Sequence, residues 1–356
     1  MKALMKTGRG YGNVELRDVE EPVCADNSVK IEVRYTGICG TDLHILHDTF
    51  MNYPPVVLGH EFSGVIAEVG AAVKHHRVGS RVTVLPSTAV TCGTCSYCRQ
   101  GKYMFCPQRR GMGYGVHGSF TKYVVVREDM VYRLPDHIPL EVAALAEPLA
   151  CAVNALEELT SIQAGDRVLI SGPGPIGLLC LALLVGRGIR VVVAGTTEDA
   201  ERLQLARKLG ADLTVDVLKE DLHSIVQAET GGLGMDVAIE CAGAGPSISN
   251  CLHALKKMGK FIQVGIAGKQ VTLDYDLILF KQIQLYGSVG HSLSTWDRVI
   301  RIFEQNKIRL QDVITHQFPL SQWQEAFELC EKKRGGKVLL YYDDNKEGGN
   351  AFESGC

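Results

Sequence analysis

The alternation of short apolar strands with helices in residues 166–289 constrains the fold of this chain more than any other feature. Two apolar strands, at 166–171 and 190–195, enclose a helix at 175–188, and an amphipathic helix follows at 198–210. Further strands are predicted at 212–217, 235–243, 259–265 and 283–289. Apolar strands separated by helices are typical of a parallel sheet that is covered on both faces. The sequence therefore predicts an α/β domain with a doubly wound sheet.

A glycine-rich turn joins the first of these strands to its helix. Gly172, Gly174 and Gly177 form the pattern G-x-G-x-x-G, and Pro175 and Ile176 open the helix. The first glycine makes the turn, the second lets the backbone approach a pyrophosphate, and the third allows the helix to pack closely on the strand. The helix N-terminus then offers amide groups and a positive dipole to phosphates. We predict that a dinucleotide binds here.

The first part of the chain follows a different pattern. Gly and Pro separate strand-like runs at 29–36, 63–70, 80–86 and 121–129, which predicts a β-rich, irregular domain. A helix is predicted over 139–159. After residue 291 the sequence predicts two amphipathic helices, a last strand at 336–343 and a polar, frayed tail at 344–356.

A cluster of four cysteines has the spacing C-x2-C-x2-C-x7-C, at Cys92, Cys95, Cys98 and Cys106. The chain has 12 cysteines and shows no secretion signal, so clustered thiols indicate a metal site more than disulfides. Four thiolates fill the tetrahedron of a zinc ion and leave no open position, so the cluster predicts a structural zinc site. A nucleic-acid zinc ribbon is the alternative, but only Arg99 and Lys102 stand between the ligands.

The overall composition excludes several classes of partner. The 356 residues predict about two domains, and the net charge of −3 argues against nucleic acid or an anionic membrane as the main partner. The most apolar window, 174–186, is too short to span a bilayer. We expect a cytoplasmic protein that acts on a small molecule.

A second possible metal site combines Cys39, His60 and Glu61. Each residue alone is more often structural, but a thiol, an imidazole and a carboxylate together have the three-ligand composition of catalytic zinc, with one position left open. Thr41 and His44 follow Cys39 by two and five residues. A hydroxyl at Thr41 could accept an alcohol proton, and the His44 imidazole could pass it to solvent.

These motifs together resemble the zinc-dependent medium-chain dehydrogenase/reductase superfamily, in its polyol-dehydrogenase branch of sorbitol and threonine dehydrogenases. The resemblance rests on C-G-T-D-x-H at 39–44, G-H-E-F-S-G at 59–64 and E-P-L at 147–149, together with the cysteine loop and the glycine-rich turn. It implies a GroES-like β-rich catalytic domain at residues 1–153, completed by 291–356, and a Rossmann domain at 154–290.

The resemblance also assigns roles to single residues. Cys39, His60 and Glu61 match ligands of the catalytic zinc, and Glu147 matches a further direct or water-mediated ligand. Thr41 and His44 match a proton relay. Relatives pair their sheet edges across a two-fold axis, which implies a homodimer or homotetramer.

The leading hypothesis is an enzyme that transfers a hydride between a nicotinamide cofactor and a secondary alcohol, which is a polyol, a sugar acid or a sugar phosphate. An amino-alcohol substrate, as in threonine dehydrogenases, is the alternative. A protein that keeps the fold only for binding or structure is the third reading, and missing zinc ligands would favour it.

The segment after the second strand of the Rossmann sheet leaves the choice between NAD and NADP open. Relatives that use NAD have an acidic residue after the second strand of the Rossmann sheet, where this chain has Gly195, Thr196 and Thr197. These threonines and Arg202 are possible contacts of a phosphate, whereas Glu198 or Asp199 could restore a ribose contact. We predict NAD as the main cofactor, with measurable use of NADP.

Overall fold

The computed structural model describes residues 1–343, so the predicted frayed tail at 344–356 lies outside the described residues. The strands that precede the glycine-rich turn are β1 (Lys2–Lys6), β2 (Val14–Asp18), β3 (Ser28–Gly37), β4 (Val56–Val57), β5 (Glu61–Val69), β6 (Arg81–Val84), β7 (Tyr123–Arg127), β8 (Val131–Arg133) and β9 (Arg167–Ser171). Those that follow it are β10 (Arg190–Gly195), β11 (Leu213–Asp216), β12 (Met235–Glu240), β13 (Leu255–Gln263), β14 (Gln284–Gly287), β15 (Ile314–Pro319) and β16 (Lys337–Tyr341). The α-helices are α1 (Gly40–Leu46), α2 (Ser96–Arg99), α3 (Leu140–Ala143), α4 (Ala146–Val153), α5 (Pro175–Leu184), α6 (Ala200–Leu209), α7 (Leu222–Thr230), α8 (Gly245–Ala254), α9 (Asp276–Lys281), α10 (Leu293–Gln305) and α11 (Trp323–Glu331).

The predicted doubly wound sheet is confirmed. Its strands lie in the order β11-β10-β9-β12-β13-β14, and every neighbouring pair is parallel. Val168 and Ile170 of β9 are buried in the core on one face, whereas Leu169 is buried in the core on the other. The strands are apolar throughout because both faces are covered. The direction of winding reverses between β9 and β12, where ligands bind in sheets of this type.

The β-rich part of the chain forms a seven-stranded sheet in the order β15-β16-β3-β5-β6-β8, with β7 also paired to β3. β16 lies antiparallel to β3, with Leu339 opposite Gly37. The C-terminal strands therefore join the sheet that the N-terminal strands form. The predicted division into 1–153 with 291–356 and 154–290 remains a prediction. Among the described residues, no helix has both the length and the apolar character needed to cross a membrane.

Two predicted helices are shorter than the sequence pattern indicated. The single helix expected over 139–159 is divided into α3, α4 and one π-helical turn at Asn154–Glu158. Pro148 explains the break, because its ring would clash with the carbonyl of Ala144 in a continuous helix. The helix expected to reach residue 188 ends at Leu184, and Gly186 and Gly188 then adopt positive φ angles of 79° and 72°.

Candidate active site

The four clustered cysteines converge on one point. Their Sγ atoms all lie within 4.8 Å of one another, in the set Cys92, Cys95, Cys98 and Cys106. The amide of Cys95 donates to Cys92 Sγ at 3.3 Å, and the amide of Cys98 donates to Cys95 Sγ at 3.4 Å. Hydrogen bonds from backbone amides, with that of Cys95 the largest, lower the pKa of the Cys92 thiol to about 6. Four converging thiols with amide donors fit a structural zinc ion.

Cys39, His60 and Glu61 form the second metal-binding set. Cys39 directly precedes α1, and His60 and Glu61 lie at the start of β5, so the two elements present their ends to one point. The ligand atoms of all three lie within 4.8 Å of one another. His60 and Glu61 are buried, whereas Cys39 is half-buried and faces a cleft. One sulfur, one nitrogen and one oxygen fit a zinc ion with an open position on the side of the cleft.

Asp42 supports this set, and the sequence analysis missed it. The side chain is fully buried, and its Oδ2 atom accepts a hydrogen bond from the amide of Cys39 at 2.9 Å. Its Oδ1 atom lies 3.8 Å from Nδ1 of His60, a nitrogen that has no hydrogen-bond partner among the described residues. A carboxylate behind a ligating histidine fixes the ring and its tautomer. The signal was present in the motif C-G-T-D-x-H, where Asp42 falls in the first turn of α1.

Lys337 reaches the same site from the far end of the chain. It lies at the start of β16, forms a buried ion pair with Glu61, and donates from Nζ to the carbonyl oxygen of Ile38 at 2.9 Å. Burial alone would lower the pKa of Lys337, but the carboxylate of Glu61 and the sulfur of Cys39 outweigh it and raise the pKa. The lysine therefore stays charged. Burial raises the pKa of Glu61, and the charge of Lys337 opposes that rise and favours the ionised form that can bind a metal.

Glu147 lies in the first turn of α4 and belongs to a separate cluster with Cys151 and His291. The indole N–H of Trp296 donates to Nδ1 of His291 at 2.8 Å. This bond assigns the proton of the neutral imidazole to Nε2, which lies 3.3 Å from Oε1 of Glu147. Burial raises the pKa of Glu147, but the hydrogen bond from His291, together with positive charge at Lys337, outweighs it and lowers the pKa. Glu147 is therefore ionised and held by His291 beside the set formed by Cys39, His60 and Glu61.

The two residues predicted to relay a proton lie one turn apart on α1. Thr41 lines the cleft together with Cys39 and His60. His44 is half-buried outside the cleft lining, and its Nδ1 atom lies 3.1 Å from Oγ1 of Thr49. Residues three apart on a helix share a face, so α1 leads from the cleft toward the surface.

The glycine-rich turn and the metal-binding set face the same cleft. Ile176 of the turn lines the cleft together with Cys39, His60 and Glu61. Gly172 has a φ angle of 102°, and a Cβ atom there would lie 2.6 Å from the amide nitrogen of Ala242. A Cβ atom on Gly177 would overlap the carbonyl of Gly172, whereas the space beside Gly174 is open. Gly172 and Gly177 therefore lie where a side chain would clash, and the approach of a pyrophosphate to Gly174 stays a prediction.

The end of β10 is more acidic in the structure than its sequence indicated. The amide and hydroxyl of Thr196 bind Oδ2 of Asp199 at 3.0 and 2.9 Å. The hydroxyl of Thr197 donates to Oδ2 of Asp216 at 2.7 Å. Asp216 ends β11 and lies opposite Gly195 of β10. The sequence analysis missed this carboxylate because a neighbouring strand supplies it.

Arg202 makes no hydrogen bond with either threonine in the part of the chain that the structure describes. Its Nε atom donates to the carbonyl oxygen of Gly335 at 2.7 Å, and its Nη1 atom lies 3.7 Å from Asp199. Within residues 1–343 these are its polar contacts, so the structure brings Thr196 and Thr197 together with acidic groups rather than with this arginine.

The cleft combines a parallel dinucleotide-binding sheet with a metal-binding set of one thiol, one imidazole and one carboxylate. This combination defines the class of zinc-dependent dehydrogenases that use a nicotinamide dinucleotide. The chain belongs to the alcohol dehydrogenase family: residues 25–136 match the alcohol dehydrogenase GroES-like domain, and residues 175–305 match the zinc-binding dehydrogenase domain. The predicted superfamily is thereby confirmed.

Similar proteins cover almost the whole chain. A D-arabitol-phosphate dehydrogenase of Enterococcus avium is 41% identical over 98% of this chain and 98% of its own length. A sorbitol dehydrogenase of Halalkalibacterium halodurans is 38% identical over 96% of this chain and 99% of its own length. The crystal structure of a zinc-binding dehydrogenase from Sinorhizobium meliloti bound to NADP is 31% identical, with a TM-score of 0.85 over 96% of this chain and 98% of that chain.

Proposed function

We propose that this enzyme oxidises a secondary hydroxyl group of a polyol, a sugar acid or a sugar phosphate. The observation that carries the proposal is the single cleft that holds Cys39, His60 and Glu61 on one side and Ile176 of the glycine-rich turn on the other. The names of the two relatives, a polyol-phosphate and a polyol dehydrogenase, support a hydroxylated substrate.

In this proposal the chain binds a zinc ion through Cys39, His60 and Glu61. When bound, the zinc ion supplies Lewis acidity toward the alcohol and the nicotinamide accepts the hydride. Asp42 orients Cys39 and His60. The hydroxyl of Thr41 accepts the proton of the substrate while it releases its own proton toward His44, and His44 passes a proton on to solvent.

Lys337 and His291 each contact one of the two carboxylates of the site, which gives Glu61 and Glu147 different roles. Lys337 pairs with Glu61 and opposes the rise in the pKa of Glu61 that burial causes. His291 keeps Glu147 at a hydrogen bond of 3.3 Å, so that Glu61 completes the metal-binding set while Glu147 remains in reserve as a further ligand.

A substrate panel tests the proposal. Zinc-replete enzyme is offered neutral polyols, aldonates, polyol phosphates and L-threonine, and reduction of the cofactor is followed by absorbance. We expect turnover of hydroxylated carbon chains and none in the Cys39→Ser variant. Efficient oxidation of threonine alone would establish the amino-alcohol alternative, and the absence of any turnover would favour a binding protein.

We further propose that NAD is the main cofactor and that the enzyme is a cytoplasmic homodimer or homotetramer. The carboxylates of Asp199 and Asp216 beside the end of β10 support NAD, because they would repel a 2′-phosphate, an effect that the ion pairs of Asp199 with Arg202 and of Asp216 with Lys219 weaken. The cysteines are unpaired throughout the described residues, which supports a reducing compartment. The exposed edge of the Rossmann sheet supports an oligomer.

A further inference from the structure

We infer that Arg109 is the residue that binds an anionic group of the substrate, and that the preferred substrate is therefore a phosphorylated polyol rather than a neutral one. The inference rests on the proposed function and names its substrate class. It concerns the lining of the cleft that also contains the metal-binding set.

Arg109 is a cation in a cleft whose other charged groups are acidic. It lines the same cleft as Cys39, Glu61 and Glu147, and its side chain is half-buried. Its Nη1 atom donates to the carbonyl oxygen of Ser87 at 3.2 Å and to the hydroxyl of Tyr114. Both partners are neutral, and within residues 1–343 no carboxylate pairs with this guanidinium. A guanidinium left without a counter-ion beside a substrate cavity is suited to bind an anion that arrives with the substrate.

The geometry of the guanidinium favours phosphate. Both hydrogen bonds to the protein use Nη1, so the Nε and Nη2 donors remain for a ligand. Two parallel N–H donors match two oxygens of a phosphate in a bidentate contact. Arg109 also lies over the ring of Tyr114 at 5.8 Å, and that ring packs edge-on against Phe50 at 5.5 Å. The side chain is therefore held in place before any ligand binds.

The cysteine loop positions Arg109. The amide of Arg109 donates to the carbonyl oxygen of Cys106 at 3.0 Å, so the residue follows directly from the last thiol of the cluster. Met104 of the same loop also lines the cleft, and a Cβ atom on Gly290 would overlap it, so the loop lies against the Rossmann side. The structural metal site thus fixes a segment that forms part of the substrate wall. A substrate can place its hydroxyl group at Cys39, His60 and Glu61 and its phosphate at Arg109.

The test compares a pentitol with its phosphate ester in the full-length, zinc-replete enzyme. In wild type we expect the phosphate ester to have the higher kcat/KM. Arg109→Met should lower kcat/KM for the phosphate ester by about 10- to 100-fold, which corresponds to the loss of one hydrogen bond to a charged group. It should lower kcat/KM for the neutral pentitol much less, because that substrate has no anionic group for Arg109 to bind. Arg109→Lys should recover part of the loss, because it keeps the charge but not the fork.

Arg110→Met is the matched control. Arg110 is the next residue, is exposed, and stacks on Tyr53 at 4.5 Å outside the cleft lining. Removal of the Arg110 side chain should change kcat/KM for neither the pentitol nor its phosphate ester. Inorganic phosphate should inhibit oxidation of the neutral pentitol in wild type and in Arg110→Met but not in Arg109→Met.

Three results would overturn the inference: equal losses for both substrates in Arg109→Met, a wild-type preference for the neutral pentitol, or a preference for an aldonate over the phosphate ester. Each leaves the proposed oxidation of alcohols intact. If no alcohol is turned over, the proposed function fails, and calorimetry with inorganic phosphate decides the inference separately. Binding to wild type that is lost in Arg109→Met supports it, and equal or absent binding contradicts it.

Discussion

Several side chains of the active site act by fixing other side chains. Asp42 and Lys337 are buried charges, and each faces a residue of the metal-binding set. Truncating one member of such a buried pair costs about 3–5 kcal/mol, because the other charge is left without a partner. Substitutions at Lys337 would therefore combine loss of activity with loss of stability, which separates this residue from one that only contacts substrate.

His44 offers a cleaner test at the level of single residues. Because it is half-buried and outside the cleft lining, His44→Ala should leave metal binding intact. We expect the rate at neutral pH to fall by about 10- to 1000-fold, because proton transfer loses its base. The loss should shrink at high pH, where hydroxide takes the proton directly. The measurement is a pH profile of kcat, and a profile parallel to wild type would exclude the relay.

The cysteine loop and the start of α1 are expected to respond differently to loss of a ligand. Cys95→Ser should reduce folding or assembly, since a structural zinc ion contributes folding free energy directly. Cys39→Ser should abolish turnover and retain most of the thermal stability. Elemental analysis of wild type should approach two zinc ions per chain, from the two sets of ligands. A stable Cys95→Ser protein beside an unfolded Cys39→Ser protein would show that the two sites are reversed.

The turn after β10 should determine the cofactor together with the end of β11. Asp216→Asn removes a carboxylate that accepts from Thr197 and keeps a group of the same shape. The variant removes one charge that repels a 2′-phosphate, and solvent screens that repulsion. We therefore expect the ratio of kcat/KM for NADP to that for NAD to rise by only about threefold to tenfold. Leu218→Ala, two residues further on and exposed, is the control. A wild-type preference for NADP above tenfold would contradict NAD as the main cofactor.

At the scale of the whole molecule, β14 is the exposed edge of the six-stranded sheet. Leu285 of β14 is 52% exposed, and Leu279 and Phe280 of the adjacent α9 are 68% and 73% exposed. Within residues 1–343 this apolar sheet edge is exposed, and such an edge is suited to an interface between subunits.

We therefore expect a dimer or tetramer in light scattering at micromolar concentration, with β14 at the interface. Leu285→Lys should shift the enzyme toward the monomer, because a lysine would be brought against its symmetry mate. Leu233→Lys is the matched control, since Leu233 is 71% exposed on the loop before β12 and away from this edge. A monomeric wild type would contradict the expectation.

The doubly wound sheet, the glycine-rich turn and the cysteine cluster could all be predicted from sequence, because each depends on neighbours in the chain. Alternating strands and helices report burial on two faces, and the spacing of Cys92, Cys95 and Cys98 places three thiols on one tight loop. The same local reasoning was incomplete at Pro148. Its ring would clash with the carbonyl of Ala144 one turn earlier, so the helix predicted over 139–159 is divided.

The supporting residues could not be found in this way, because their positions depend on pairings between distant elements. Lys337 meets Glu61 only because β16 returns to pair with β3. Asp216 adds a carboxylate to the end of β10 because β11 lies beside that strand, and Trp296 sets the tautomer of His291 through packing of α10. Periodicity and spacing describe which residues share a face of one element. The packing of the whole core determines which faces and ends of different elements meet. That packing brings Arg109 into the cleft.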